Sequence, residues 1–161
     1  MEVSVTIQYN KILFCTDFSD DADNALLTAL EMAERYQARL YFLHVMHSVY
    51  PSRPNNSAES GRGGVETIIS PELLEKGTDK LKERYEAKMG ALKTNCEFHV
   101  VWGVPFVEIV RFARAQNVDF IVLGAAGSSN IKRITFGSTA ENVARRAHCT
   151  VMITHNPEKA F

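Results

Sequence analysis

The chain predicts an α/β fold on a parallel sheet, and three observations carry that expectation. Short apolar runs alternate with longer segments of helical periodicity from Lys11 to Thr154, the order that βαβ units with right-handed crossovers require. At 161 residues the chain fits one domain, residues 1–161, with a single substantial core. Hydrophobic residues make up 45% and charged residues 23%, as in soluble globular proteins.

The elements follow in order. Lys11 to Thr16 (KILFCT) reads as a strand with a polar exit, and the AspPheSerAsp turn leads into a helix with Ala25, Leu26, Ala29, Leu30 and Ala33 on its apolar face. Ser19 or Asp20 suits its N-cap, because either side chain accepts from an orphan amide of the first turn. Residues 39–45 (RLYFLHV) form the next strand, rich in aromatic and branched side chains. Over 46–70 the composition shifts to Pro, Ser, Asn, Gly and Arg and periodicity vanishes, which predicts a long flexible loop. Pro71 then opens a helix whose stripe of Leu73, Leu74, Leu81, Tyr85 and Met89 is expected to pack in the core. A strand at 98–101, a helix at 105–116 with Val107, Ile109, Val110, Phe112 and Ala113 as apolar positions, a strand at 120–123, a helix at 138–147 and a strand at 150–154 complete the series.

The most informative stretch is Gly124 to Thr139, GAAGSSNIKRITFGST. It closes one strand with Gly124 and Gly127 and, after nine intervening residues, opens a helix with Gly137, Ser138 and Thr139. Glycine lets backbone approach a ligand, and the first amides of a helix lack internal partners and carry the positive end of its dipole, so a phosphate fits there. No Gly-Lys-Ser/Thr triplet occurs, which argues against a fast P-loop hydrolase, and the first strand ends in CysThrAspPheSer rather than a dinucleotide fingerprint. The turn after the first strand and the glycine loop after the fourth lie on the same sheet edge, where ligands bind in such folds.

Composition narrows the partners. A net charge of -1 with no single-sign block argues against nucleic acid, and no apolar run approaches a membrane span, so a cytoplasmic protein is expected. Cys15, Cys96 and Cys149 are odd in number and without a C-x-x-C pair, which predicts reduced, mostly buried thiols and neither disulfides nor a zinc site. The five histidines show no ligand spacing, and no residue is assigned as catalytic.

These residues resemble the universal stress protein family, in its nucleotide-binding branch. Gly124, Gly127, Gly137 and Ser138 match its G-x-x-G, nine residues, G-Ser/Thr pattern, Ile12 to Ser19 its first strand ending in Thr-Asp-Phe-Ser, and His44 and Val45 its second-strand ending. The resemblance spans Lys11 to Thr154. It implies a five-stranded parallel sheet of order 3-2-1-4-5, of the adenine-nucleotide α-hydrolase-like kind, with ATP (or AMP or ADP) beyond the strand ends and Mg²⁺ as companion cation should the ligand be ATP. On that resemblance Asp17 takes the ribose hydroxyls and Val45 meets adenine through its backbone, while Gly124, Gly127, Gly137, Ser138 and Thr139 hold ribose and phosphates; Cys15, Thr16 and Ala125 join the candidate binding set. Ala125, Ala126 and Ser128 depart from the pattern, standing where the family carries a hydroxyl and basic side chains, and Lys132 and Arg133 are candidates for the missing charge.

The function implied is a nucleotide-responsive regulatory or stress-resistance protein, at most a slow ATP hydrolase, with an unidentified protein partner. A slow ATPase or adenylyl-transfer enzyme, or an interaction module with a vestigial site, are the competing readings. The final strand exposes an unpaired edge, which with the resemblance predicts a homodimer through Val151 and Ile153.

Overall fold

A computed structural model describes residues 6–47, 70–126 and 137–159. Five parallel strands, β1 (Lys11–Thr16), β2 (Arg39–Met46), β3 (Cys96–Trp102), β4 (Phe120–Gly124) and β5 (Thr150–Thr154), form one sheet in the order β3-β2-β1-β4-β5. Helices α1 (Asp20–Tyr36), α2 (Pro71–Tyr85), α3 (Pro105–Ala115) and α4 (Ser138–Arg146) cover its two faces. The expected sheet order and fold class are the observed ones.

The period-two alternation of the strands sorts the core into two layers. Ile12 and Phe14 of β1, Leu40 and Phe42 of β2, and Phe120 and Val122 of β4 face α1, α2 and Met89. Leu13, Tyr41, Leu43, Ile121 and Leu123 point the other way, to Ile109 and Ala113 of α3 and Ala140 and Val143 of α4. On α1 the buried face is mostly alanine, at Ala22, Ala25, Ala29 and Ala33, which lets the helix lie close to the sheet.

Local signals set the boundaries. Ser19 caps α1, its hydroxyl accepting from the Ala22 amide at 3.2 Å, and Asp20, Asp21 and Asp23 place negative charge at the positive end of the helix dipole. At the other end Gln37 adopts a left-handed conformation (φ 54°), and the Ala38 amide reaches back to the Ala33 carbonyl at 2.9 Å, closing the last turn. Asn117 (φ 53°) ends α3 the same way, with Val118 donating to Ala113 at 2.8 Å.

Two expectations need correction. Leu73 is exposed and Leu74 half-buried, so only Leu81, Tyr85 and Met89 of the expected stripe enter the core. The reason is geometric: α2 closes on the sheet at Gly77, where an added Cβ would lie 3.0 Å from Val100 Cγ1, and Leu73 is one turn before that contact. The apolar face expected of α3 is present, with Ile109 and Ala113 buried and Phe112 packed against them. Of the thiols Cys15 alone is buried, Cys96 and Cys149 being half-buried, although all three are free. Most of the loop expected over 46–70 lies outside the described residues, β2 running on to Met46 and Ser70 capping α2.

Candidate functional site

The sheet opens where its strand order reverses. β1 and β2 stay paired up to Thr16 and His44, whereas the ladder between β1 and β4 ends at Phe14 and Val122. Beyond that point the ends of the two strands part, and a cavity of about 400 Å³ lies over them. Such a volume is in the range of small-molecule sites, about 300–1,000 Å³.

The cavity gathers nine of the ten candidate residues: Cys15, Thr16 and Asp17 from the end of β1, Val45 from β2, Gly124 and Ala125 from β4, and Gly137, Ser138 and Thr139 at the start of α4. The tenth, Gly127, lies outside the described residues, as do Ser128, Lys132 and Arg133. Sequence reasoning missed the apolar lining of Leu43, Pro105, Ile109, Leu123 and Ala140, together with His44 and His47. For the apolar ones the only sequence signal is core periodicity, which does not distinguish a core position from a cavity wall. Among the described lining residues there is no Lys or Arg.

A short chain of backbone bonds ties the two halves of the site. Ala125 donates to the Thr154 carbonyl at 2.8 Å, and Gly137 donates to the Ala125 carbonyl at 2.7 Å, so the N-terminus of α4 is fastened to the end of β4. Gly137 is the N-cap of α4 and offers no side chain to its first amides, which open beside the cavity at Ser138, Thr139 and Ala140. Polar backbone with a helix dipole behind it is suited to an anion.

Gly124 has a structural reason to be glycine. A Cβ there would lie 2.8 Å from the Asp21 carbonyl carbon and 2.9 Å from its oxygen, so the first turn of α1 occupies the space. Ligand approach is therefore not needed to explain this glycine, because the neighbouring helix alone is enough to require it.

The β1–α1 turn is held by side chains. The Ser19 amide donates to Asp17 Oδ1 at 3.0 Å and the Phe18 amide to Thr16 Oγ1 at 3.0 Å. His44 Nδ1 lies 2.8 Å from the Thr16 carbonyl, which can only accept, so that nitrogen carries the proton. Burial holds the His44 pKa below the usual imidazole value, outweighing the Thr16 bond that favours protonation. His44 is therefore neutral at pH 7, with Nε2 as an acceptor. Burial likewise pushes the Cys15 thiol up, so it remains protonated and packs as a small apolar side chain. Among the described residues no cluster of His, Cys, Asp and Glu is placed to hold a metal.

The model of the universal stress protein family matches residues 8–155. The chain belongs to that family. The universal stress protein MJ0531 of Methanocaldococcus jannaschii is 35% identical over 153 residues, covering 94% of this chain and 85% of its own length. Universal stress protein MJ0577 of the same organism is 31% identical, covering 92% and 96%. Among solved structures, the universal stress protein UspA from Lactobacillus plantarum superposes with a TM-score of 0.72 at 28% identity, over 92% of this chain and 99% of that one. A universal stress protein in complex with cAMP gives 0.63 at 25% identity, over 92% and 99%. Family membership and the sheet order agree, and among the described residues no helix is long and apolar enough to cross a membrane.

Proposed function

We propose that this universal stress protein binds an adenine nucleotide in the cavity between β1 and β4 and acts as a cytoplasmic, nucleotide-responsive regulator. The observation that carries the reading is the juxtaposition, around one cavity, of Asp17 and the residues that begin α4, whose N-cap Gly137 lends the first amides no side chain. A carboxylate accepts from ribose hydroxyls, and amides with a helix dipole donate to phosphate oxygens. Val45 offers backbone to the base, and Leu43, Pro105 and Ile109 supply the apolar surface that a base needs. The structurally similar protein in complex with cAMP supports an adenine nucleotide as the class of ligand. Regulation follows if the nucleotide binds one conformation better than another, because only differential affinity shifts a population.

Calorimetric titration with ATP, ADP and AMP, with and without Mg²⁺, tests the reading. Asp17→Ala is expected to weaken binding about tenfold to a hundredfold, the loss of hydrogen bonds to a charged acceptor. No heat up to millimolar nucleotide, together with no adenine nucleotide released from the denatured protein, would sink it.

Assembly is proposed from the sheet edge. β5 pairs with β4 alone among the described strands, and antiparallel pairing of two such edges about a two-fold axis is self-complementary. Val151 and Ile153 pack against the α3–α4 core, so the contact would use the outer backbone of the strand with these side chains bracing it. Light scattering of the wild type should give a dimer and Ile153→Pro a monomer or aggregate; a wild-type monomer at about 50 μM, well above the Kd of a stable dimer, overturns the proposal.

A further inference from the structure

Among the described residues three non-glycine positions have positive φ, and two of them, Gln37 and Asn117, end helices where that conformation is common. The third is Phe18 (φ 64°), next to Asp17 in the turn that enters the cavity. A bulky aromatic residue adopts this conformation against a steric penalty and keeps it only when its surroundings fix it. Those surroundings come largely from α2. Arg84 Nη2 donates to the Phe18 carbonyl at 3.3 Å, Lys80 Nζ sits 4.5 Å from the Phe18 ring centroid, and the Tyr85 ring lies parallel to it at 6.3 Å. On the other side the His44 ring is 4.4 Å away.

A relay of aligned hydrogen bonds joins the turn to that helix. The Phe18 amide donates to the Thr16 hydroxyl at 3.0 Å, and the Thr16 and Tyr85 oxygens are 2.7 Å apart. The Tyr85 hydroxyl gives its proton to Asp23 Oδ1 at 2.8 Å, so Thr16 must be the donor in the middle bond. Arg84 clamps the same carboxylate, with Nη2 at 2.6 Å and Nε at 3.2 Å. Burial acts to raise the Asp23 pKa, but the bonds from Arg84 and Tyr85 outweigh it and keep this acceptor ionised. Each donor polarises the next, and the run ends on a charge.

We propose that Tyr85 is a positioning residue for the cavity: through its hydroxyl, α2 fixes the left-handed turn at Phe18 and thereby the reach of Asp17 toward a ribose. The effect on affinity rests on the nucleotide reading above, whereas the effect on the turn does not. Arg84 and Tyr85 thus link the seating of α2 to a site they do not line.

Tyr85→Phe keeps the ring packing and removes only the relay. Hydrogen exchange of the unliganded protein should show the Phe18 and Ser19 amides exchanging about tenfold faster, with the Leu81 amide unchanged. Equal rates overturn the clamp whether or not nucleotide binds. In calorimetry ATP affinity should fall about fivefold, while 2′,3′-dideoxy-ATP, which has no ribose hydroxyls for Asp17, loses far less. The same comparison in Asp17→Ala gives the limit that the discrimination between the two nucleotides approaches. An unchanged ATP affinity, or equal weakening of both nucleotides, overturns the positioning role. A wild type that binds neither overturns the nucleotide reading and the affinity effect together, and the exchange rates still decide the clamp.

Discussion

Gly124→Val lowers the free energy of unfolding by about 3 kcal/mol, as expected for forcing atoms into a filled space. The Cβ alone would stand 2.8 Å from the Asp21 carbonyl carbon and 3.0 Å from its Cβ, and what it meets is helix backbone, which cannot rotate aside. α1 would have to move away from β4, and its buried alanines would lose contact with the sheet. Ala125, the next residue, lines the cavity, so the same shift disturbs the site. Urea titration followed by circular dichroism reads the loss. A midpoint equal to that of the wild type would mean that α1 does not approach Gly124 as the structure has it.

Tyr85→Ala costs about 3–5 kcal/mol, the usual range for deleting a buried aromatic ring. Tyr85 is fully buried, and its ring meets those of Phe14 at 5.6 Å and Phe42 at 5.9 Å. Truncation leaves a ring-sized void in the α1–α2 core and also strips the Thr16 hydroxyl of its partner there. Burial raises the phenol to about 12, so the hydroxyl stays neutral at any working pH and its contribution does not titrate away. The loss should therefore be the same at pH 6 and pH 8 in chemical denaturation, and Tyr85→Phe should recover most of it because the ring packing returns. A Tyr85→Ala protein as stable as the wild type would show that α2 is not docked through this side chain.

The two largest effects fall on residues of very different legibility. Tyr85 was readable as a core position from the helical stripe, and the bounds of β1 and β5 were readable residue for residue, because Lys11–Thr16 and Thr150–Thr154 are apolar runs cut off by polar exits. The glycine and hydroxyl cluster likewise pointed to one place, and the structure brings its described members to one cavity. Other features were hidden. Leu73 carries the same periodicity as Leu81 and is exposed, because periodicity tells which face turns inward but not where the helix first meets the sheet. The Thr16–Tyr85 and Asp23–Arg84 contacts join residues 69 and 61 positions apart, and no local pattern announces a hydrogen bond across such a separation. Gly124 shows a third kind of limit: its presence was noted, but the reason for it lies in a neighbour, Asp21, that only the folded arrangement identifies.

The early end of the β1–β4 ladder at Phe14 and Val122 has a consequence for how this molecule can change. The opening there comes from the route of the chain, which leaves β1 on one side of the sheet through α1 and reaches β4 from the other through α3. Side chains decorate the gap without creating it. Substitutions at its rim therefore change the lining while the gap itself persists, so the opening belongs to the topology and its lining to the sequence.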